Sequence, residues 1–191
     1  MRNLTGYLKK ILLLSSLSLL LSALQPHQIF AEESFNLSSE FVHTIQGDTI
    51  STQAIITISA ETPKVISYFT ITLPQENISP TCKNESKGTD VDCTSYKRAG
   101  VTDILLDLNN AIVKPSTPIS ISVNYSTAYT QSNSYSIVSQ FQGYDTTKIS
   151  LIYPRTFGEP LWASDTIQSI KAIGETYQIQ IERPIYPNLS V

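Results

Sequence analysis

The sequence predicts an all-β chain: an antiparallel, immunoglobulin-like β-sandwich of about eight strands, exported behind a signal-peptide helix. Three observations predict it. Segments between Phe35 and Glu182 place apolar residues at every second position, as strands half-buried on a core do. Turn signals separate these segments every ten to fifteen residues, and no long helical period intervenes. A leucine-rich run precedes them all at the N-terminus.

That run is a targeting signal in form. Arg2, Lys9 and Lys10 make a positive leader, and Ile11 to Leu24 is uncharged. Ile29-Phe30-Ala31 before Glu32-Glu33 is a tolerable cleavage site, though Ile is larger than the small residue preferred there. Read as an anchor, the run would reach only ~21 Å as a helix, against a hydrocarbon core of ~30 Å. Cleavage after Ala31 is therefore expected, and the chain should be secreted or extracytoplasmic, with membrane attachment left open.

The first hairpin is Phe35 to Ile45 and Thr49 to Ser59, joined by Gln46-Gly47-Asp48. Gly47 suits the positive φ that such a turn needs. Its apolar positions are Phe35, Leu37, Phe41 and Ile45, answered by Ile50, Ala54, Ile56 and Ile58. Thr62-Pro63 breaks the chain before a third strand, Lys64 to Leu73, which Pro74 ends. A loop with Ser79-Pro80 and the two cysteines follows. Next come Thr102 to Asn109, carried by Ile104, Leu106 and Leu108, and the run from Ile119 to Tyr125. In that run Ile119, Ile121, Val123 and Tyr125 alternate with Ser120, Ser122 and Asn124. Ser134 to Phe141 repeats the pattern on Tyr135, Ile137 and Phe141, and Lys148 to Pro154 on Ile149, Leu151 and Tyr153. The last strand, Thr176 to Glu182, alternates on Tyr177, Ile179 and Ile181, and Ser164 to Ile173 is a candidate for a helical turn or two. Three segments result: a signal over 1–31, a sandwich over 32–183, and 184–191 as a linker or the truncated start of a further element.

Removal of 31 of the 191 residues leaves one ordinary domain, long enough to bury a real core. Its sixteen acids outnumber ten bases, which excludes nucleic acid and anionic membrane surfaces as partners. Cys82 and Cys93 enclose a polar, hairpin-like loop, and in an oxidising compartment such a pair bridges. Their spacing does not suit zinc, and no base stands near to make either a nucleophile.

Few other residues offer chemistry. His27 leaves with the signal, and His43 sits on the apolar parity of its strand, the place of a core or edge histidine. Asp90, Asp92, Asp103 and Asp107 are the local carboxylates, too sparse for a calcium loop, so solvated loop acids are expected. Trp162, flanked by Phe157 and Tyr153, is either a stacking platform for a ligand or a plug at one end of the sandwich. Tyr125, Tyr129, Tyr135 and Tyr144 could make an adhesive face or simply reflect β-propensity. Asn36, Asn77, Asn84, Asn124 and Asn188 begin Asn-x-Ser sequons. No catalytic residue, metal site or cofactor is expected.

Ile149-Ser-Leu-Ile-Tyr-Pro-Arg-Thr-Phe-Gly-Glu-Pro160, with Gly174-Glu-Thr-Tyr-Gln-Ile-Gln-Ile181, resembles the N-terminal β-region of bacterial transglutaminase-like membrane proteins. In that family a papain-like domain with a Cys, His and Asp triad follows the β-region. No stretch of this chain matches that domain, so the resemblance implies an accessory module without the enzyme. The expected function is thus a non-catalytic module that spaces or docks a larger cell-envelope protein. The alternative is a stand-alone adhesive or glycan-binding module. The expected partner is a cell-envelope protein or polysaccharide, with membrane contact only through an uncleaved signal or downstream segments.

Overall fold

A computed structural model describes residues 35–128, 136–159, 163, 165–182, 184 and 188–190. The signal and its cleavage site lie outside the described residues, as does Trp162. The fold is an all-β sandwich. The expected hairpin is present as β1 (Asn36–Gln46) and β2 (Thr49–Ser59), which pair from Asn36↔Ser59 to Gln46↔Thr49 around Gly47 at φ +56°. β3 is Lys64–Leu73, as the alternation predicts. β4 (Thr81–Asn84), β5 (Thr89–Val91) and β6 (Cys93–Arg98) occupy the stretch expected to be a loop. β7 (Val101–Val113) and β8 (Ile119–Ala128) are followed by β9 (Ser136–Val138), β10 (Asp145–Pro154), β11 (Ser169–Ile173), β12 (Thr176–Glu182) and β13 (Asn188–Ser190).

An eight-stranded sheet runs in the order β11-β12-β10-β1-β2-β8-β4-β5, and a three-stranded sheet in the order β3-β7-β6. β9 and β13 form a separate two-stranded ribbon, so part of the stretch read as a linker pairs with Ser136–Val138. Three features differ from expectation. The large sheet is mixed, because β1 runs parallel to β10. The candidate helical turn is strand from Ser169 onward, since its β-branched Ile170 and Ile173 pair with Ile179 and Thr176 of β12. The strand expected over Ser134 to Phe141 closes at Val138, and residues 139–142 continue as a connection.

The sheets face each other through their alternating apolar sides. Phe41, Ile56, Ile58, Ile121 and Val123 of the large sheet meet Ile71, Leu73, Ile104 and Leu106 of the small one, all fully buried or nearly so. A second cluster holds Ile45, Ile50, Ile149, Leu151, Tyr153, Ile179 and Ile181, with Ile137 of β9 over them. The connection after β9 passes from the second cluster to the first, where Phe141 packs on Phe41 at 5.2 Å between ring centroids. The main-chain N–H of Gln142 then donates to the Thr72 carbonyl at 2.8 Å, tying the connection to the small sheet.

Cys82 on β4 and Cys93 on β6 form the expected disulfide, with their Cα atoms 6.1 Å apart. Since β4 belongs to the large sheet and β6 to the small one, the bridge staples the two layers where the chain crosses between them. A Cys82→Ser/Cys93→Ser double variant should lose about 2–3 kcal/mol of stability in urea titration, by the chain-entropy estimate for a short loop. Reduction of the wild type should reproduce the shift, and a midpoint unchanged by both would deny the staple its role.

Candidate functional site

Of the residues considered as a ligand platform, Tyr153 and Phe157 are described, and Trp162 lies outside the described residues. Tyr153 is buried in the second cluster, its ring 5.8 Å from that of Tyr177, and burial pushes its phenol pKa up to about 12. Phe157 lies on the 3-10 turn Arg155–Phe157 at the surface. The Arg155 guanidinium stands 5.2 Å over the Tyr177 ring. Of the four tyrosines considered for an adhesive face, Tyr125 is a core residue and Tyr144 packs beside Phe69 at 6.1 Å. Tyr129 and Tyr135 lie outside the described residues. Among the carboxylates, Asp103 is paired with Arg98 at 2.6 Å and accepts a hydrogen bond from Thr72. Its carboxyl is held below the usual range first by the Arg98 hydrogen bond. Among the described residues no three His, Cys, Asp or Glu converge as metal ligands.

His43 is fully buried between the two apolar clusters, its ring stacked on Phe41 at 5.7 Å. Its Nδ1 lies 2.9 Å from Thr52 Oγ1 and its Nε2 lies 3.0 Å from Ser139 Oγ. The Ser139 hydroxyl also lies 3.3 Å from the Ile137 carbonyl, so a hydroxyl meets each ring nitrogen of the imidazole. Farther along, Thr146 donates to the Ser139 carbonyl at 2.7 Å and lies 3.3 Å from Ser39 Oγ. A chain of hydroxyls thus crosses the interior, satisfying polar groups that burial would otherwise penalise. An imidazole beside a serine suggests a nucleophile and its base. Here both groups are sealed from solvent, and burial lowers the imidazole pKa to about 3.

The concave feature lies on the other side of the large sheet. A groove of about 600 Å³ is floored by residues that β1, β2, β8 and β4 turn away from the core. They form two rows across the strands. Val42, Gln53, Asn124 and Thr81 are aligned partners in one, and Thr44, Ser51 and Ser126 in the other. Thr52 and Tyr125, an opposed pair on β2 and β8, also border the groove. Asn77 and Ser79, from the connection between β3 and β4, flank it. That connection is held by Ile78, fully buried in the core, and by the Thr102 hydroxyl donating to the Gln75 carbonyl at 2.7 Å. Asn77 takes φ +61°, a left-handed conformation that asparagine tolerates. None of the groove's eleven residues carries a charge at neutral pH. Sequence reasoning showed a hydroxyl-rich side to β8 but could not align it with Gln53 or Thr81, because register is invisible in sequence.

The outer face of the small sheet is different. Val65 and Ile112 are cross-strand partners, each more than half exposed; Tyr68, opposite Asp107, and Tyr96, opposite Asp103, are as exposed farther along the same face.

No family model matches the chain, and no curated protein does. Solved structures do. The M1 zinc metallopeptidase of Deinococcus radiodurans is similar over 82% of this chain and 42% of its own, at 11% identity and a TM-score of 0.58. The Legionella pneumophila aminopeptidase A in complex with aspartic acid is similar over 82% of this chain and 21% of its own, at 10% identity and a TM-score of 0.57. Native yeast LTA4 hydrolase is similar over 84% and 29%, at 8% identity and a TM-score of 0.54. At such identity the likeness is one of fold, and this chain spans less than half the length of each.

The buried imidazole has a consequence for acid stability. Its folded pKa lies below the unfolded value near ~6.5, so the unfolded chain binds the proton first. Stability is fully present above ~6.5 and falls as pH drops from there toward 3, by up to about tenfold in the folding equilibrium per pH unit. A His43→Gln variant, which keeps a donor and an acceptor, should show a shallower fall in urea titrations from pH 7 to pH 4. Equal slopes in the two proteins would show that other groups set the acid response.

Proposed function

We propose that this chain is a non-catalytic, exported β-sandwich module that spaces or docks a larger cell-envelope protein. The observation that carries the reading is the outer face of the small sheet. Val65, Ile112 and Tyr68 expose apolar and aromatic area along one part of this face, and Tyr96 exposes its ring farther along it, opposite Asp103. Exposed aromatic and apolar residues of this kind suit an interface, since they give contact area at low entropic cost. Two further facts support it. The imidazole and hydroxyl that sit together are sealed inside the core, out of reach of a substrate in solvent. The structural neighbours named above are two peptidases and a hydrolase, and the matched region is less than half of each chain. They favour a larger partner of the peptidase kind, whereas a transglutaminase-like one rests on the short motifs after Ile149.

The test is site-specific photocrosslinking in the native cell envelope. A crosslinker at Tyr68 or Tyr96 should capture one larger polypeptide, or a segment beyond residue 191 of the same one. A crosslinker at Gln53, on the far side of the sandwich, should not. Equal capture from both positions, or none from Tyr68 and Tyr96, would overturn the reading.

A further inference from the structure

We infer that the groove on the outer face of the large sheet is a binding site for a neutral saccharide. The inference does not depend on the docking reading, which uses the opposite face of the molecule. Hydroxyls and carboxamides line the groove, and each of these groups both donates and accepts, as sugar hydroxyls do. Ser51 and Ser126 bond to each other at 3.3 Å. The side chains of Thr44, Gln53, Thr81 and Asn124 make no hydrogen bond to other described residues and remain available to a ligand. The volume falls within the ~300–1,000 Å³ usual for small-ligand sites.

The same geometry argues against other ligands. With no charged residue in the lining, nothing there would repay the desolvation of an anion or a cation. A peptide docking by strand addition needs a free sheet edge, yet β1, β2, β8 and β4 are each paired on both sides. Only side chains are therefore on offer, arrayed at ~4.8 Å between strands and ~7 Å along them. This lattice is preorganised, because its floor is the middle of a sheet and its flank is pinned through Ile78. A repeating, uncharged ring bearing many hydroxyls answers such a lattice.

The experiment presents the full, oxidised chain to an array of neutral oligosaccharides: glucans, mannans, galactans and chitooligosaccharides. Sialylated and uronate-containing glycans and extended peptides stand beside them. Titration calorimetry follows on whatever binds. At least one neutral series should bind, with an affinity that hardly changes between 0.15 and 1 M salt, as an uncharged contact requires. A Gln53→Ala/Asn124→Ala double variant should weaken that binding at least ~10-fold with its thermal midpoint unchanged, two ligand hydrogen bonds being lost. If that variant loses its unfolding transition, Ser126→Trp replaces it; the indole should obstruct the groove and abolish binding. The inference is overturned if no neutral saccharide binds, or if binding is confined to acidic glycans or peptides. It is equally overturned if affinity survives in the folded variants. Crosslinking from Tyr68 is indifferent to all of these outcomes, so this inference and the docking reading fail separately.

Discussion

The large sheet must bury one face across its width, and a three-stranded sheet is too narrow to cover it all. Only part of the inner face meets β3 and β7, with Phe41, Ile56 and Ile121 against Ile71 and Leu106. The part built from β10 and β12 is covered instead by Ile137 and its neighbours. The connection from Ile137 to Phe141 therefore has to cross the inner face, and it carries polar main chain into the interior. Ser139, Thr146, Ser39, Thr52 and His43 are the response to that crossing: a run of buried hydroxyls around one neutral imidazole. Burial without such partners would cost ~1–3 kcal/mol for each group.

The same mismatch shapes the surface. The chain leaves the small sheet at Leu73 and enters the large one at Thr81, so the intervening connection must bridge the layers at the end of the sandwich. Ile78 plugs into the core on the way, and Asn77 and Ser79 are left beside the outward rows of β2 and β8. A little farther on, the Cys82–Cys93 bridge fastens the second crossing. The concavity on the outer face is thus a by-product of joining two layers of unequal width, and its polar lining follows from the pleat.

Folds of this type carry no activity of their own, since chemistry resides in particular sites placed upon them. Here the two outward faces are chemically opposite. One is a lattice of neutral hydrogen-bonding groups in a groove, and the other carries exposed apolar and aromatic side chains among charged ones on a small sheet. Under the two proposals together, the module would hold a protein on one side and a polysaccharide on the other.

The alternation of apolar residues was enough to determine the all-β class, the β1–β2 hairpin to within one residue at each end of β1, and the bounds of β2, β3 and β12. Those are local properties: a side chain's face depends on its parity, and a turn on its own glycine. The cysteine pair was legible for the same reason, being close in sequence. Parity could also say that His43 points inward, but not that Ser139, 96 residues away, would meet it. The parallel pairing of β1 with β10, the strand at Ser169, the short strands around the cysteines and the groove all depend on which segments become neighbours. That choice is made by long-range burial, where one strand's register against another decides which polar residues line up. Thr81, Asn124 and Gln53 share a row only because three strands distant in sequence were brought side by side.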